Sequence, residues 1–248
     1  MTTELLTERR GSTLLITLSG PATRNALVKQ VFAAGIETLN IAESNPDVKA
    51  VVLTGAGEHF CGGADLQHRT HPTDSLSEQG AHIDDFHQWI EALRSFPKPV
   101  IAAVEGMVAG NGLALALACD LIVASESARF CAHSQQMPLT PEGGLSHVLV
   151  RSMGRSRALE VLWQTAPMGV QPWLQWGLVQ KVVPTGLATH IALEWADELG
   201  RLPASVIASI KELVNDAPNQ SMRAQMNAEK QHALINLARG QIPGQTPD

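Results

Sequence analysis

At 248 residues with a net charge of −6, the chain can bury one large core without staples, and its acidic balance excludes nucleic acid or an anionic membrane as the main partner. Three cysteines, Cys61, Cys119 and Cys131, make no CxxC pair and predict free thiols in a reducing compartment. No apolar run nears the ~20 residues of a membrane span and the polar opening MTTELLTERRGS has no signal-peptide core, so the expectation is a soluble cytoplasmic protein.

Taken in order, Thr13 to Ser19 alternate loosely and predict a first strand, closed by Gly20-Pro21. Asn25 is a candidate N-cap for a helix from about Ala26 to Ala42. Val48 to Leu53 predicts a second strand, closed by Thr54-Gly55-Ala56-Gly57. The loop Glu58 to Leu66, EHFCGGADL, sets Gly62 and Gly63 at the strand's end, where backbone N–H groups can face a ligand. After a polar stretch over 67–80, a helix is expected from about Ala81 to Ser95.

The stretch Lys98 to Asp120 carries the strongest local pattern. Val100 to Val104 is an apolar, β-branched run, Gly106, Gly110 and Gly112 crowd a turn, and Leu113 to Cys119 is apolar on every side. The pattern predicts a buried strand, a glycine turn and a helix buried all round, with unpaired N–H groups and a helix dipole aimed at one spot. Such a spot binds an anion or a developing oxyanion, or else is a packed strand–helix joint with no ligand. The phosphate-loop and dinucleotide glycine spacings are absent.

Leu121 to Ala124 and Ala128 to Cys131 predict short strands, and Ala132 to Gly144, with Pro138, Pro141, Gly143 and Gly144, a loop. Helices are expected over Ser156–Gln164 and Pro172–Gly177, then a last strand over Leu178–Val183. From Leu187 the pattern is helical only, about 187–200, 204–216 and 221–239, punctuated by Pro203 and Pro218. The division expected is an α/β core over 1–185 and a helical region over 186–248, whose thin apolar face invites packing against another subunit.

Together the stretches RNAL (Arg24–Leu27), AVVLTGAGEHFCGGADL (Ala50–Leu66), KPVIAAVEGMVAGNGLALALACDLIVAS (Lys98–Ser125), SARF (Ser127–Phe130), PEGG (Pro141–Gly144), MGRSRALE (Met153–Glu160) and WGLVQKVVP (Trp176–Pro184) resemble the crotonase, or enoyl-CoA hydratase/isomerase, superfamily. The resemblance is colinear over roughly residues 10 to 235. It implies an α/β fold built as a spiral of ββα turns, a C-terminal helical trimerisation region, and a homotrimer or dimer of trimers. It also implies acyl-CoA thioester substrates, with coenzyme A entering as part of the substrate and no separate cofactor or metal.

Carried over residue by residue, the family's oxyanion hole falls on the main-chain N–H groups of Ala64 and Asn111. Asn111 replaces the central glycine of the usual GGG run, so a side chain enters the pocket there. The two glutamates that activate water in the family's hydratases fall on Ala114 and Ser134. An alanine transfers no proton and a serine is a poor substitute at neutral pH. Glu142 in PEGG remains, and the delta-3,delta-2-enoyl-CoA isomerases resemble this chain in placing their single catalytic glutamate in such a segment. One carboxylate suffices for a 1,3-proton shift. On position alone Glu142 reads as an acid at a helix N-terminus.

The resemblance further assigns CoA and substrate contacts to Arg24, Ala26, Gly62, Gly63, Asp65, Leu66 and Ser134, with Met137, Leu139 and Leu145 lining the base's pocket. Without it Arg24 is equally a solvated surface charge. A hydratase with a non-standard water-activating residue, a decarboxylase, an aryl-CoA dehalogenase and a non-catalytic acyl-CoA-binding trimer are the alternatives. His68 with His71, and His82 with His87, lack a clustered third ligand for a metal, and Cys61 lacks an obvious base and reads as a small buried residue.

Overall fold

The largely apolar runs at 50–54, 100–104 and 122–125 form strands buried on both faces. The computed structural model describes residues 2–65, 75–132 and 140–240. Its larger sheet has six strands in the order β1 (Glu4–Arg10), β2 (Thr13–Ser19), β3 (Ala50–Gly55), β4 (Val100–Val104), β6 (Leu121–Ser125) and β9 (Lys181–Val183). β1 runs antiparallel to β2, and the other neighbours are parallel. A smaller sheet joins β5 (Met107–Ala109), β7 (Arg129–Cys131) and β8 (Met168–Gly169).

The chain visits the two sheets alternately and then turns into helix. After β3, Cys61 bridges to Val108 in the small sheet, and α2 (Leu76–Ser95) follows. After β4 and β5 comes α3 (Asn111–Ala118), and after β6 and β7 come α4 (Leu145–Met153) and α5 (Arg155–Trp163). This is the expected α/β spiral of ββα turns. α1 (Lys29–Ser44) and α2 cover one face of the large sheet, where Phe32, Phe86, Trp89 and Leu93 pack into the main core. After α6 (Val170–Gln175), α7 (Ala188–Leu199) closes the other face, setting Ala188, Ala192 and Ala196 against Val52, Ile101 and Val123.

Three departures from the sequence reading have physical causes. β1 is a strand although ELLTERR is charged and mostly exposed, because an edge strand needs only β2's backbone and solvent tolerates its side chains. α2 begins at Leu76, five residues earlier than expected. A capping box explains it: the Glu78 N–H donates to Ser75 Oγ at 3.2 Å and the Ser75 N–H to Glu78 Oε2 at 2.8 Å. Asn25 is not a helix cap; α1 starts after Val28 with no side-chain cap.

Two lysines tie helix C-termini to the rest. Lys98 Nζ donates to Ala42 O and Asn45 O at the end of α1, at 2.6 and 2.8 Å. Lys211, in α8 (Ala204–Asp216), reaches Leu93 O at the end of α2 and pairs with Asp120 at 2.8 Å. Burial pushes the Asp120 carboxyl above its ordinary range, against the pull of Lys211 and of the Val100 N–H. Lys211→Met leaves that carboxylate partly desolvated and without its ion-pair partner, though the Val100 N–H still donates to it at 2.8 Å. We expect a loss of roughly 2–3 kcal/mol at neutral pH, less than for a fully buried pair because Asp120 keeps some exposure. Since the folded pKa is raised, protonation favours the folded state, so the deficit shrinks as pH falls toward that pKa. Parallel melts of both proteins at several pH values check this, and a pH-independent difference would contradict it.

α8 and α9 (Met222–Ala238) bury no residue, and Ile210, Val214, Met226 and Leu234 lie exposed on them.

Candidate active site

The two glycine-rich loops meet. Beyond β3 the chain folds back on the segment after Gly20: the Gly62 N–H donates to Arg24 O at 2.7 Å, the Leu27 N–H to Gly63 O at 2.7 Å, and the Asp65 N–H to Leu27 O at 3.0 Å. Leu27 thus spends both backbone groups on the residues flanking Ala64. The N–H and C=O of Ala64 must then point to the opposite side. The start of α3 stands close by, against Gly63. Gly63 has φ +97°, and a Cβ there would lie 2.8 Å from Ala109 O and 3.7 Å from Asn111 N. Only a glycine permits both that backbone angle and that approach.

Asn111 opens α3 after Gly110, whose φ is +50°. The N–H groups of Leu113 and Ala114 return to Gly110 O at 3.0 and 3.1 Å. Those of Asn111 and Gly112, the first two of the helix, have no carbonyl within it to bond. Gly112 is held against Cys61, where a Cβ would fall 2.7 Å from both Cys61 O and Cys61 Cβ. The Leu27 bridge and the first turn of α3 therefore leave the N–H groups of Ala64 and Asn111 unspent, in two segments that meet at Gly63, with the positive end of α3 behind Asn111.

Glu142 comes to the same place from 31 residues further along the chain. Asn111 Nδ2 donates to Glu142 Oε2 at 3.2 Å. Behind the carboxylate, Gly143 and Gly144 take left-handed φ angles of +61° and +73° and lead into α4. A Cβ on Gly143 would lie 2.7 Å from Phe86 Cε1 and 2.9 Å from Ala114 Cβ. Asn111 and Ala114, one turn apart on α3, thus share the face that receives the Glu142–Gly143 turn. Ala114 is buried, and the space beside its methyl is taken by that turn and, next to Gly143, the Phe86 ring. A longer side chain there would have to displace one of them.

Arg24 and Asn25 both adopt positive φ, +54° and +57°. The Arg24 side chain is exposed and its backbone holds Gly62. Asn25 is fully buried, and its amide ties three segments: Oδ1 accepts from the Gly20 N–H at 2.9 Å, and Nδ2 donates to Ala56 O at 3.0 Å and His59 O at 2.7 Å. Sequence reasoning missed this role because helix caps and left-handed turns favour the same short amide side chain. Ala26 is buried beside Leu27, and Asp65 is half-buried. Leu66, Ser134, Met137 and Leu139, with His68 and His71, lie outside the described residues, whereas Leu145 is buried at the start of α4.

Cys61 sits among these loops but is not suited to attack. Its thiol is buried, donates to Asn25 O at 3.2 Å, and is pushed up to about 12 by desolvation. Iodoacetamide at pH 8 should leave Cys61 unmodified in the native protein and alkylate it after denaturation, read by peptide mass spectrometry. Fast native labelling would contradict the assignment. Among the described residues no three His, Cys, Asp or Glu side chains cluster as a metal site. No helix among them is long and apolar enough to cross a membrane.

Residues 8–237 match the enoyl-CoA hydratase/isomerase family model. The chain is 30% identical over 224 residues to 1,2-epoxyphenylacetyl-CoA isomerase of Escherichia coli, covering 90% of this chain and 86% of that protein. It is 31% identical to 2,3-dehydroadipyl-CoA hydratase of the same organism, covering 92% of this chain and 88% of that protein. Among solved structures, an enoyl-CoA hydratase from a Polaromonas species superposes with a TM-score of 0.91 at 42% identity, covering 94% of this chain and 91% of that one.

Proposed function

Because the chain belongs to the enoyl-CoA hydratase/isomerase family, we propose that it moves the double bond of a 3-enoyl-CoA thioester into conjugation, giving the 2-enoyl-CoA, with Glu142 as the acid–base. The observation that carries the reading is the Glu142 carboxylate accepting from the Asn111 amide at the start of α3, with an alanine packed against its turn at 114, one of the two positions where the family's hydratases resemble one another in carrying an acid.

The chemistry follows from the arrangement. Glu142 takes a proton from C2, and the C–H electron pair moves into the thioester as an enolate. The N–H groups of Ala64 and Asn111 receive the charge on the carbonyl oxygen, a service worth several kcal/mol when the donors are fixed in advance. The dienolate then collects the same proton at C4, and the double bond settles between C2 and C3. Glu142 ends as it began, so no second acid is required. Arg24, Ala26, Gly62, Gly63 and Asp65, with Leu66 and Ser134, are assigned to the CoA moiety and acyl group. The exposed Arg24 guanidinium suits a phosphate.

A hydratase is the second reading, favoured by the hydratases among the relatives. Turnover of a trans-3-enoyl-CoA and a trans-2-enoyl-CoA, measured side by side with purified protein, separates them. Conjugation of the first without hydration of the second supports the isomerase, and water addition to the second overturns it. The same proposal extends to assembly. The apolar residues left open on α8 and α9 suit a homotrimer or a dimer of trimers, and sedimentation at a monomer's mass would refute that.

A further inference from the structure

We propose that the Asn111 side chain is a positioning residue for Glu142, so that one residue organises both halves of the site. Its main-chain N–H receives the charge that develops on the thioester oxygen, and its amide holds the base that creates that charge. The inference rests on the assignment of Glu142 as the acid–base and goes beyond it. An oxyanion hole needs only an N–H at residue 111, which glycine supplies. An asparagine there is nonetheless buried, sits in helical geometry, and donates from Nδ2 to Glu142 Oε2 at 3.2 Å.

The setting gives the contact its purpose. Glu142 lies in a non-helical segment before two left-handed glycines, a backbone with little stiffness of its own. One side of the turn is fixed by Gly143 packing on Phe86 and Ala114. That contact restrains the backbone. The Asn111 amide, one helical turn before Ala114 on the same face of α3, supplies a directional hold on the acid itself. A single carboxylate that serves both C2 and C4 must stay near each, and a misplacement on the order of 1 Å costs about 100-fold in such chemistry.

Asn111 and Ala114 also read as a matched pair. The small residue at 114 admits the Glu142–Gly143 turn, and the amide at 111 orients what the turn delivers. Where an acid stood at 114, the turn could not pack as it does here.

The test uses Asn111→Gly, which keeps the oxyanion N–H, and Asn111→Asp, which keeps the shape but sets a carboxylate against Glu142. Glu142→Gln and the Asn111→Gly/Glu142→Gln double variant complete the set. The readouts are kcat and KM on a 3-enoyl-CoA carrying deuterium at C2, and the fraction of that deuterium recovered at C4. Thermal melts report on folding. The expected result is a kcat about 10–100-fold lower for Asn111→Gly with KM within about threefold, and a larger loss for Asn111→Asp. Less deuterium should be returned to C4 by Asn111→Gly, and the second substitution should cause no further loss in the Glu142→Gln background. Wild-type kcat and deuterium return in a folded Asn111→Gly, with Glu142→Gln inactive, would overturn the positioning role alone. An active Glu142→Gln would overturn the reading beneath it. If Asn111→Asp does not fold, Asn111→Ser replaces it, with a loss no larger than that of Asn111→Gly expected.

Discussion

Glu142→Gln should lower the isomerase kcat by about 100- to 10,000-fold, the usual span for removing a positioned acid–base. The substitution keeps the shape, and the Gln Oε1 can still accept from Asn111 Nδ2, which bonds Glu142 Oε2 at 3.2 Å in the native site. The Glu142–Gly143 turn therefore stays packed on Ala114 and Phe86. What disappears is the group that accepts a proton from C2, and an amide cannot replace it at neutral pH. Acyl-CoA binding, measured by calorimetry with a saturated thioester, should change by less than about threefold, because transition-state contacts are lost and ground-state ones kept. A variant within a few-fold of wild type would remove Glu142 from the chemistry and leave a site that acts by its oxyanion donors alone.

Asn25→Ala should be the most damaging single change to stability near the site, at roughly 3–5 kcal/mol. The Gly20 N–H loses its acceptor, and Ala56 O and His59 O lose their donor, in a place closed to water. A stranded buried polar group costs about 1–3 kcal/mol. Alanine also keeps the φ of +57°, a conformation that costs a residue with a Cβ about 1–2 kcal/mol more. For a domain of this size the midpoint should fall by about 6–20 °C. Asn25→Asp should do no better at neutral pH, since it retains the acceptor for Gly20 but turns a carboxylate oxygen toward two carbonyls. Activity should fall with stability, because the same carbonyls fix the loop that carries Gly63 and Ala64. A melt within about 2 °C of wild type would show that water can enter and satisfy those groups.

Much of the scaffold was legible because the signals were local. β2, β3 and β4 are apolar runs between turn residues, and the helices after Leu187 carry strong helical periodicity. Misses fell where local signals were weak or shared. β5 and β8 are too short to hold a pattern, and α4 starts at Leu145 behind Gly144 with no side-chain cap. β1 depends on its neighbour for its hydrogen bonds. The Ser75–Glu78 capping box lies in a polar stretch, where no apolar periodicity marks a helix start.

The chain's local patterns carry the family, the two glycine-rich loops and the carboxylate beyond them, because glycine spacing and a retained acid are properties of short segments. They also set Ala114, which transfers no proton, in its place. That Gly63 lies against Asn111 N, that Gly143 lands on Ala114, and that the Asn111 amide reaches Glu142 follow from packing between segments distant in the chain. Residues 63, 111 and 142 belong to three successive turns of the spiral. A glycine states that a close approach is allowed, but the approaching partner is chosen by the packing of two sheets and the helix between them.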